Sequence, residues 1–247
     1  MKALILAAGF GKRLQPITNK IPKCMVEVCG TPLLQNALNI LVEVGISEIG
    51  IVVGHKAEYI KQSIGLKWKN IPITYYENTR YLETNNVYSL YKAIDFCNDD
   101  MLMLECDLFY RKNLIAEMLK YDADCSILVS PFNQNTMDGT AIECSDEGKF
   151  SLVLGKWQND GFDYSKAFKT VNMYKFSRAF AIKYMKLIEW YVDNMGTNSY
   201  YEKVLGSMMY LRENSFQIVK VPETMWCEID DESDLIRARN MFSAECN

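Results

Sequence analysis

Between Lys2 and Ser130 the chain alternates short apolar runs with stretches of helical period. The runs are Lys2–Ala7, Ile49–Val53, Ile73–Tyr76, Met101–Glu105 and Cys125–Ser130. Between them, Pro32–Val44, Lys56–Ile64, Asn86–Phe96 and Asn113–Leu119 read as helices. Continuous apolar runs are the mark of strands covered on both faces, and their alternation with helices predicts βαβ units around a mostly parallel sheet. After Pro131 the texture changes. Thr140–Cys144, Phe150–Leu154 and Lys169–Phe176 read as strands with no helices between them. Ser177–Asp193, Phe216–Val221 and Asp231–Met241 then read as helix, strand and helix. No repeat, low-complexity tract or linker interrupts the 247 residues. We therefore expect one α/β domain over 1–247 with a β-rich subregion near 131–176.

Composition excludes several classes. Lys and Arg number 27 against 31 Asp and Glu, a net charge of -4, which argues against a nucleic-acid binder. No window holds the roughly 18 uninterrupted apolar residues of a membrane span. The start of the chain lacks a signal-peptide cleavage pattern, so a cytoplasmic location is expected. The eight cysteines form no C-x-x-C, and His55 is the lone histidine, so zinc is poorly supported. All eight are expected as packing thiols.

The densest chemical signal follows the first strand. Gly9-Phe10-Gly11-Lys12-Arg13-Leu14 leads through Pro16 and Pro22 to Lys23. Glycines at the carboxyl end of a strand let backbone N–H groups approach an anion, and Lys12, Arg13 and Lys23 in this short span suit a polyphosphate. A Walker A is absent, and Leu14 with Pro16 breaks a dinucleotide fingerprint, since Pro16 blocks the helix that should follow.

The string Leu6-Ala7-Ala8-Gly9-x-Gly11-x-Arg13-Leu14-x-Pro16-x-Thr18, ending in Pro22-Lys23, closely resembles the signature of nucleotidyltransferases that join a nucleoside triphosphate to a phosphorylated acceptor. Gly30-Thr31-Pro32-Leu33-Leu34 is similar to the same family. The resemblance implies a Rossmann-like three-layer α/β sandwich of the nucleotidyltransferase type A fold, a need for Mg²⁺, and release of pyrophosphate. It places Leu6, Ala7, Ala8, Gly9 and Gly11 on the nucleotide, with Cys106 nearby, Arg13 on the β- and γ-phosphates, and Lys23 on the α-phosphate and acceptor. Asp107, at the carboxyl end of Met101–Glu105, and Asp230, before the last helix, match the family's two magnesium-binding aspartates. For Asp230 and Asp231 the competing role is helix N-cap, and either could take either role. An acceptor phosphate is already ionised, so no general base is required; His55 reads as a loop residue.

Glu83-Thr84-Asn85-Asn86-Val87-Tyr88-Ser89-Leu90 resembles a segment of the small cytidylyltransferases acting on phosphocholine and on phosphonates. That favours CTP, with Asn85, Asn86 and Ser89 reading cytosine or the acceptor. The acceptor is less defined. Lys156, Lys169, Asn172, Tyr174 and Trp226 are its candidate contacts, with Lys156 equally readable as a surface residue. Cations there would suit an acceptor carrying a carboxylate; phosphoglutamine, 2-aminoethylphosphonate and phosphocholine are the candidates, for surface polysaccharide or capsule modification. Asp138-Gly139 reads as a hairpin turn. Tyr184 and Met185 read as core. The alternatives are a hexose-1-phosphate nucleotidylyltransferase and a non-catalytic nucleotide sensor. A homodimer is the default expectation.

Overall fold

A computed structural model describes residues 1–144, 150–155, 158 and 161–245. The chain opens with β1 (Lys2–Ala7), a one-turn helix α1 (Ile17–Lys20), the pair β2 (Glu27–Val28) and β3 (Thr31–Pro32), and α2 (Leu33–Glu43). Next come β4 (Glu48–Val53), α3 (Ala57–Ile64), β5 (Lys67–Trp68), β6 (Ile71–Glu77), α4 (Asn86–Tyr91), β7 (Met101–Glu105), β8 (Leu108–Tyr110) and α5 (Asn113–Leu119). The remainder is β9 (Cys125–Pro131), β10 (Ala141–Cys144), β11 (Phe150–Val153), β12 (Ala167–Phe176), α6 (Arg178–Met195), α7 (Tyr201–Leu211), β13 (Phe216–Lys220), β14 (Trp226–Glu228) and α8 (Glu232–Met241).

The main sheet runs β11-β10-β12-β7-β1-β4-β6-β5, with β9 bonded to β12 and β13 to β9. β7, β1, β4 and β6 are parallel. β1 alternates its side chains between two cores. Ala3, Ile5 and Ala7 face the layer containing Leu34, Ile60 and Leu114, whereas Leu4, Leu6 and Ala8 face Val87, Phe180 and Tyr201. Helices thus cover both faces, as a parallel sheet requires. Tyr184 and Met185 are core.

β12 changes the character of the sheet. Its end, Met173–Phe176, runs antiparallel to β7, and its start, Ala167–Lys169, pairs with β10. Its register against β9 breaks between Thr170 and Tyr174. Asn172 lies inside that break at φ 55, a left-handed conformation that asparagine tolerates better than most side chains.

Several local expectations are corrected. Pro16 does not stop helix formation; it precedes α1. α2 starts at Leu33 with Pro32 at its N-cap, so Thr31 is strand rather than cap. The helix expected over Asn86–Phe96 breaks after Tyr91 and resumes as a 3-10 turn at Ile94. Asp138-Gly139 is no hairpin turn, because β9 and β10 do not pair with each other; each pairs with β12. Cys29 is disulfide-bonded, against the expectation of eight thiols. α7 buries Tyr201, Val204, Leu205, Met208 and Met209 at helical spacing, and was not expected although the sequence carries that stripe.

Candidate active site

The chain order reverses at β1: β4 and β6 extend to one side and β7 returns on the other. Such switch points open a crevice at the carboxyl ends of the strands. A cavity of about 910 Å³ lies there.

Its first wall is the loop after β1. Gly11 has φ 70, and a Cβ on it would come within 3.0 Å of both Lys23 Cβ and Thr18 Cγ2. The loop therefore folds directly onto Lys23, and Thr18 Oγ1 donates to the Gly11 carbonyl at 2.8 Å. Lys23 is 8% exposed. Its Nζ lies 2.8 Å from Asp107 Oδ2 and 2.6 Å from Asp230 Oδ1. Burial opposes the ammonium, but the two carboxylates outweigh it and raise the Lys23 pKa. Arg13 continues the chain of charge, with Nη2 2.8 Å from Asp230 Oδ2 and Nη1 3.3 Å from Asp138 Oδ2. Burial likewise opposes ionisation of Asp230, yet Lys23 and Arg13 hold its pKa below the ordinary aspartate range.

Asp107 and Asp230 meet because β14 pairs antiparallel with β8 and the Ile229 N–H donates to the Asp107 carbonyl at 2.9 Å. Asp231 caps α8. Its side chain accepts from the Asp234 N–H at 3.0 Å, and the Asp234 carboxylate accepts from the Asp231 N–H, a capping box. Asp230 is left facing the cavity.

The second wall is acidic. Oxygens of Glu105, Asp107 and Glu228 lie within 4.8 Å of one another, and Asp107 Oδ1 is buried with no hydrogen-bond partner. Hard carboxylate oxygens in this arrangement fit a divalent cation such as Mg²⁺. Glu105 accepts from Tyr201 OH at 2.9 Å and from Asn86 Nδ2 at 3.2 Å. Glu202, in the first turn of α7, accepts from Thr140 Oγ1 and Asn86 Nδ2, both at 3.4 Å. Glu228 accepts from Asn172 Nδ2 at 3.2 Å and pairs with Lys169 Nζ at 3.1 Å. Burial, followed by the neighbouring carboxylates, pushes Glu105 well above the ordinary glutamate range. Burial raises Glu202 despite its hydrogen bonds. Burial drives Glu228 up to about 7 against the pull of Lys169.

Of the residues singled out in the sequence, Leu6, Ala8, Gly9, Gly11, Arg13, Lys23, Asn85, Asn86, Ser89, Cys106, Asp107, Lys169, Asn172 and Asp230 line this one cavity. Three do not. Ala7 faces the opposite core because strand side chains alternate. Tyr174 is fully buried among the aromatics beneath the sheet. Trp226 is 3% exposed and borders a neighbouring cavity of about 420 Å³. Lys156 lies outside the described residues. Lys169, expected as a free cation for the acceptor, is instead held by Glu228 and by the Thr170 carbonyl at 2.8 Å.

The sequence reading missed Glu105, Glu228, Glu202 and Asn78. Glu105 and Glu228 each precede a singled-out aspartate by two residues, the same-face spacing of a strand, and that signal was available. Glu202 and Asn78 have no comparable local mark.

The chain is similar to known proteins over most of its length. The chain is 27% identical over 245 residues to the CMP-5'-(3-aminopropyl)phosphonate synthase of Streptomyces rubellomurinus, covering 98% of this chain but only 39% of that protein. It is 26% identical over 255 residues to the CTP:phosphoglutamine cytidylyltransferase of Campylobacter jejuni, covering 95% and 98%. Its fold matches that of the CTP:phosphocholine cytidylyltransferase from Streptococcus pneumoniae with a TM-score of 0.72 at 21% identity, over 98% of both chains. Among the described residues no helix is long and apolar enough to cross a membrane. The profile of nucleotidyl transferases matches residues 2–141, more than half of the sequence, and the chain belongs to that family.

Proposed function

We propose that the chain is a cytidylyltransferase that moves CMP from CTP to the phosphate or phosphonate of a small acceptor and releases pyrophosphate. The observation that carries this reading is Lys23, buried at the base of the Gly-rich loop, 2.8 Å from Asp107 and 2.6 Å from Asp230. A cation flanked by two carboxylates at a phosphate loop suits transfer at phosphorus, which depends on positioning and charge neutralisation. The names of the relatives support CTP as donor.

In this reading an acceptor oxygen attacks the α-phosphorus in line, and pyrophosphate leaves. Lys23 exchanges a carboxylate partner for the α-phosphate and acceptor oxygens. Arg13 turns from Asp138 to the β- and γ-phosphates. The Gly9–Gly11 backbone borders the triphosphate. Asp107 and Asp230, with Glu105 and Glu228 behind them, would hold Mg²⁺. The ion supplies neutralisation of triphosphate oxygens when bound.

The acceptor wall gives a different charge from the one expected. Glu105, Glu202 and Glu228 face a single paired lysine, Lys169; with Glu105 and Glu228 beside the metal, Glu202 is the carboxyl left to accept a hydrogen bond from an acceptor's nitrogen. An aminoalkylphosphonate combines that nitrogen with a phosphonate nucleophile. The test is pyrophosphate release with Mg²⁺ for CTP, UTP, dTTP and GTP against 2-aminoethylphosphonate, phosphoglutamine, phosphocholine and glucose-1-phosphate. Turnover with CTP and an amine-bearing acceptor is expected. Turnover with another nucleotide and glucose-1-phosphate would overturn the reading.

A further inference from the structure

Asn172 interrupts β12 at φ 55, inside the register break between Thr170 and Tyr174. Val171 and Met173 on either side pack into one core layer, while Asn172 itself borders the cavity. A left-handed residue within a strand is strained, and glycine would take this conformation more easily. Strained backbone persists where its surroundings fix it, and here the fixing contacts are those of the amide.

Asn172 Nδ2 donates to Glu228 Oε1 at 3.2 Å and makes a longer contact with Glu105 Oε2, at 3.5 Å. One NH₂ group thus spans two carboxyls. These two, with Asp107, are the acids whose oxygens lie within 4.8 Å of one another. The opposite oxygen of each is held from elsewhere: Glu105 Oε1 by Tyr201 OH at 2.9 Å, Glu228 Oε2 by Lys169 Nζ at 3.1 Å. Asn172 is the donor that the two acids share. A carboxylate oxygen that accepts one hydrogen bond keeps a second lone pair, so these contacts orient both acids and leave them able to meet a cation.

We infer that Asn172 is a positioning residue for the divalent cation, its single NH₂ holding Glu105 and Glu228 at the spacing that a shared ion needs. The inference rests on the reading of Glu105, Asp107 and Glu228 as cation-holding carboxyls. Groups that orient ligating carboxylates from behind change metal affinity by about ten- to a hundredfold when removed. An acceptor contact, the role expected of Asn172 from the sequence, would leave the affinity for the ion alone unchanged.

The test is titration of the full chain with Mn²⁺ alone, the free ion being read from its electron paramagnetic resonance signal. No nucleotide or acceptor is present, so neither turnover nor substrate binding enters. Asp107→Asn marks which bound ion belongs to this wall, as the one that it removes. Asn172→Gly suits the left-handed backbone and deletes the NH₂, and urea unfolding without metal checks that it folds. Its dissociation constant for that Mn²⁺ should rise about tenfold or more over the wild type. Asn172→Ser, whose side chain stops a bond short of the amide nitrogen, should show the same rise, and it decides the matter if Asn172→Gly does not fold. An unchanged Mn²⁺ affinity in either folded variant overturns the inference and leaves the cation-holding reading of the acids standing. A wild type that takes up no Mn²⁺ overturns that reading itself, and the inference with it.

Discussion

The two walls of the cavity hold charge in opposite ways. In the first, Lys23 and Arg13 lie between Asp107, Asp138 and Asp230, each cation touching two carboxylates. In the second, Glu105, Glu202 and Glu228 crowd around one paired lysine. The first is an ion chain that, in the proposed reading, exchanges partners with a triphosphate. The second is an excess of buried acid, held by neutral donors from Asn86, Asn172, Thr140 and Tyr201. Buried like charges protonate rather than coexist, so the second wall carries raised acids while Asp230 in the first is held low.

The comparison breaks most severely at Lys23. Lys23→Ala is expected to slow single-turnover pyrophosphate release about a thousandfold, the scale of a lost charge-stabilising group. A wild-type rate would remove Lys23 from the chemistry. Asp107→Asn should abolish the dependence of that rate on Mg²⁺, and a chelator should silence the wild type in the same way. Retained magnesium dependence would assign the ion elsewhere.

The second wall should fail through stability. Lys169→Met strips Glu228 of its cation in a buried site, at an expected cost of about 3–5 kcal/mol in urea unfolding. Lost turnover with unchanged stability would instead place Lys169 on the substrate.

The pH dependence sharpens the contrast. Glu228 titrates near 4.5 when free and near 7 when folded. Between those values the folded state holds a proton that the unfolded chain has released, so stability falls as pH rises from about 4.5 toward 7. Asp230 has the opposite sign: its stabilisation is present above the ordinary aspartate value of 3.8 and is lost as pH falls through its lowered folded value. Glu228→Gln should flatten the decline toward neutral pH in denaturation curves, and an unchanged slope would place its source outside this wall. The smallest effect is expected at the α8 cap, where Asp231→Ala should cost about 1 kcal/mol in thermal unfolding. A much larger loss would mean that the cap also fixes Asp230.

The difference between the walls also explains what could be read from the chain. The first wall grows from contiguous sequence: the glycines, Arg13 and Lys23 lie within fifteen residues, so turn chemistry and charge density expose them. β1, β4 and β7 were equally plain, because strands buried on both faces are uniformly apolar. The second wall has no such local signature. Asn172 reaches it through a break in the β12 register, Glu202 as a lone acid beside the apolar stripe of α7, and Glu228 through pairing of two three-residue strands. Asn78 is one asparagine in a loop until Arg80 and Ser89 close on it. Trp226 and Tyr174 failed as acceptor contacts for a related reason: aromatic residues in a strand serve the core as readily as a ligand, and only the face decides.

The bond between Lys23 and Asp230 spans 207 residues. A chain still being synthesised therefore carries a complete phosphate loop long before it owns the carboxylate that loop needs. Until β14 has paired with β8, Lys23 has half its countercharge and the cavity has an open side. Nucleotide affinity thus reports completed folding: any ligand that requires both aspartates binds only the finished protein and shifts the folding equilibrium toward it.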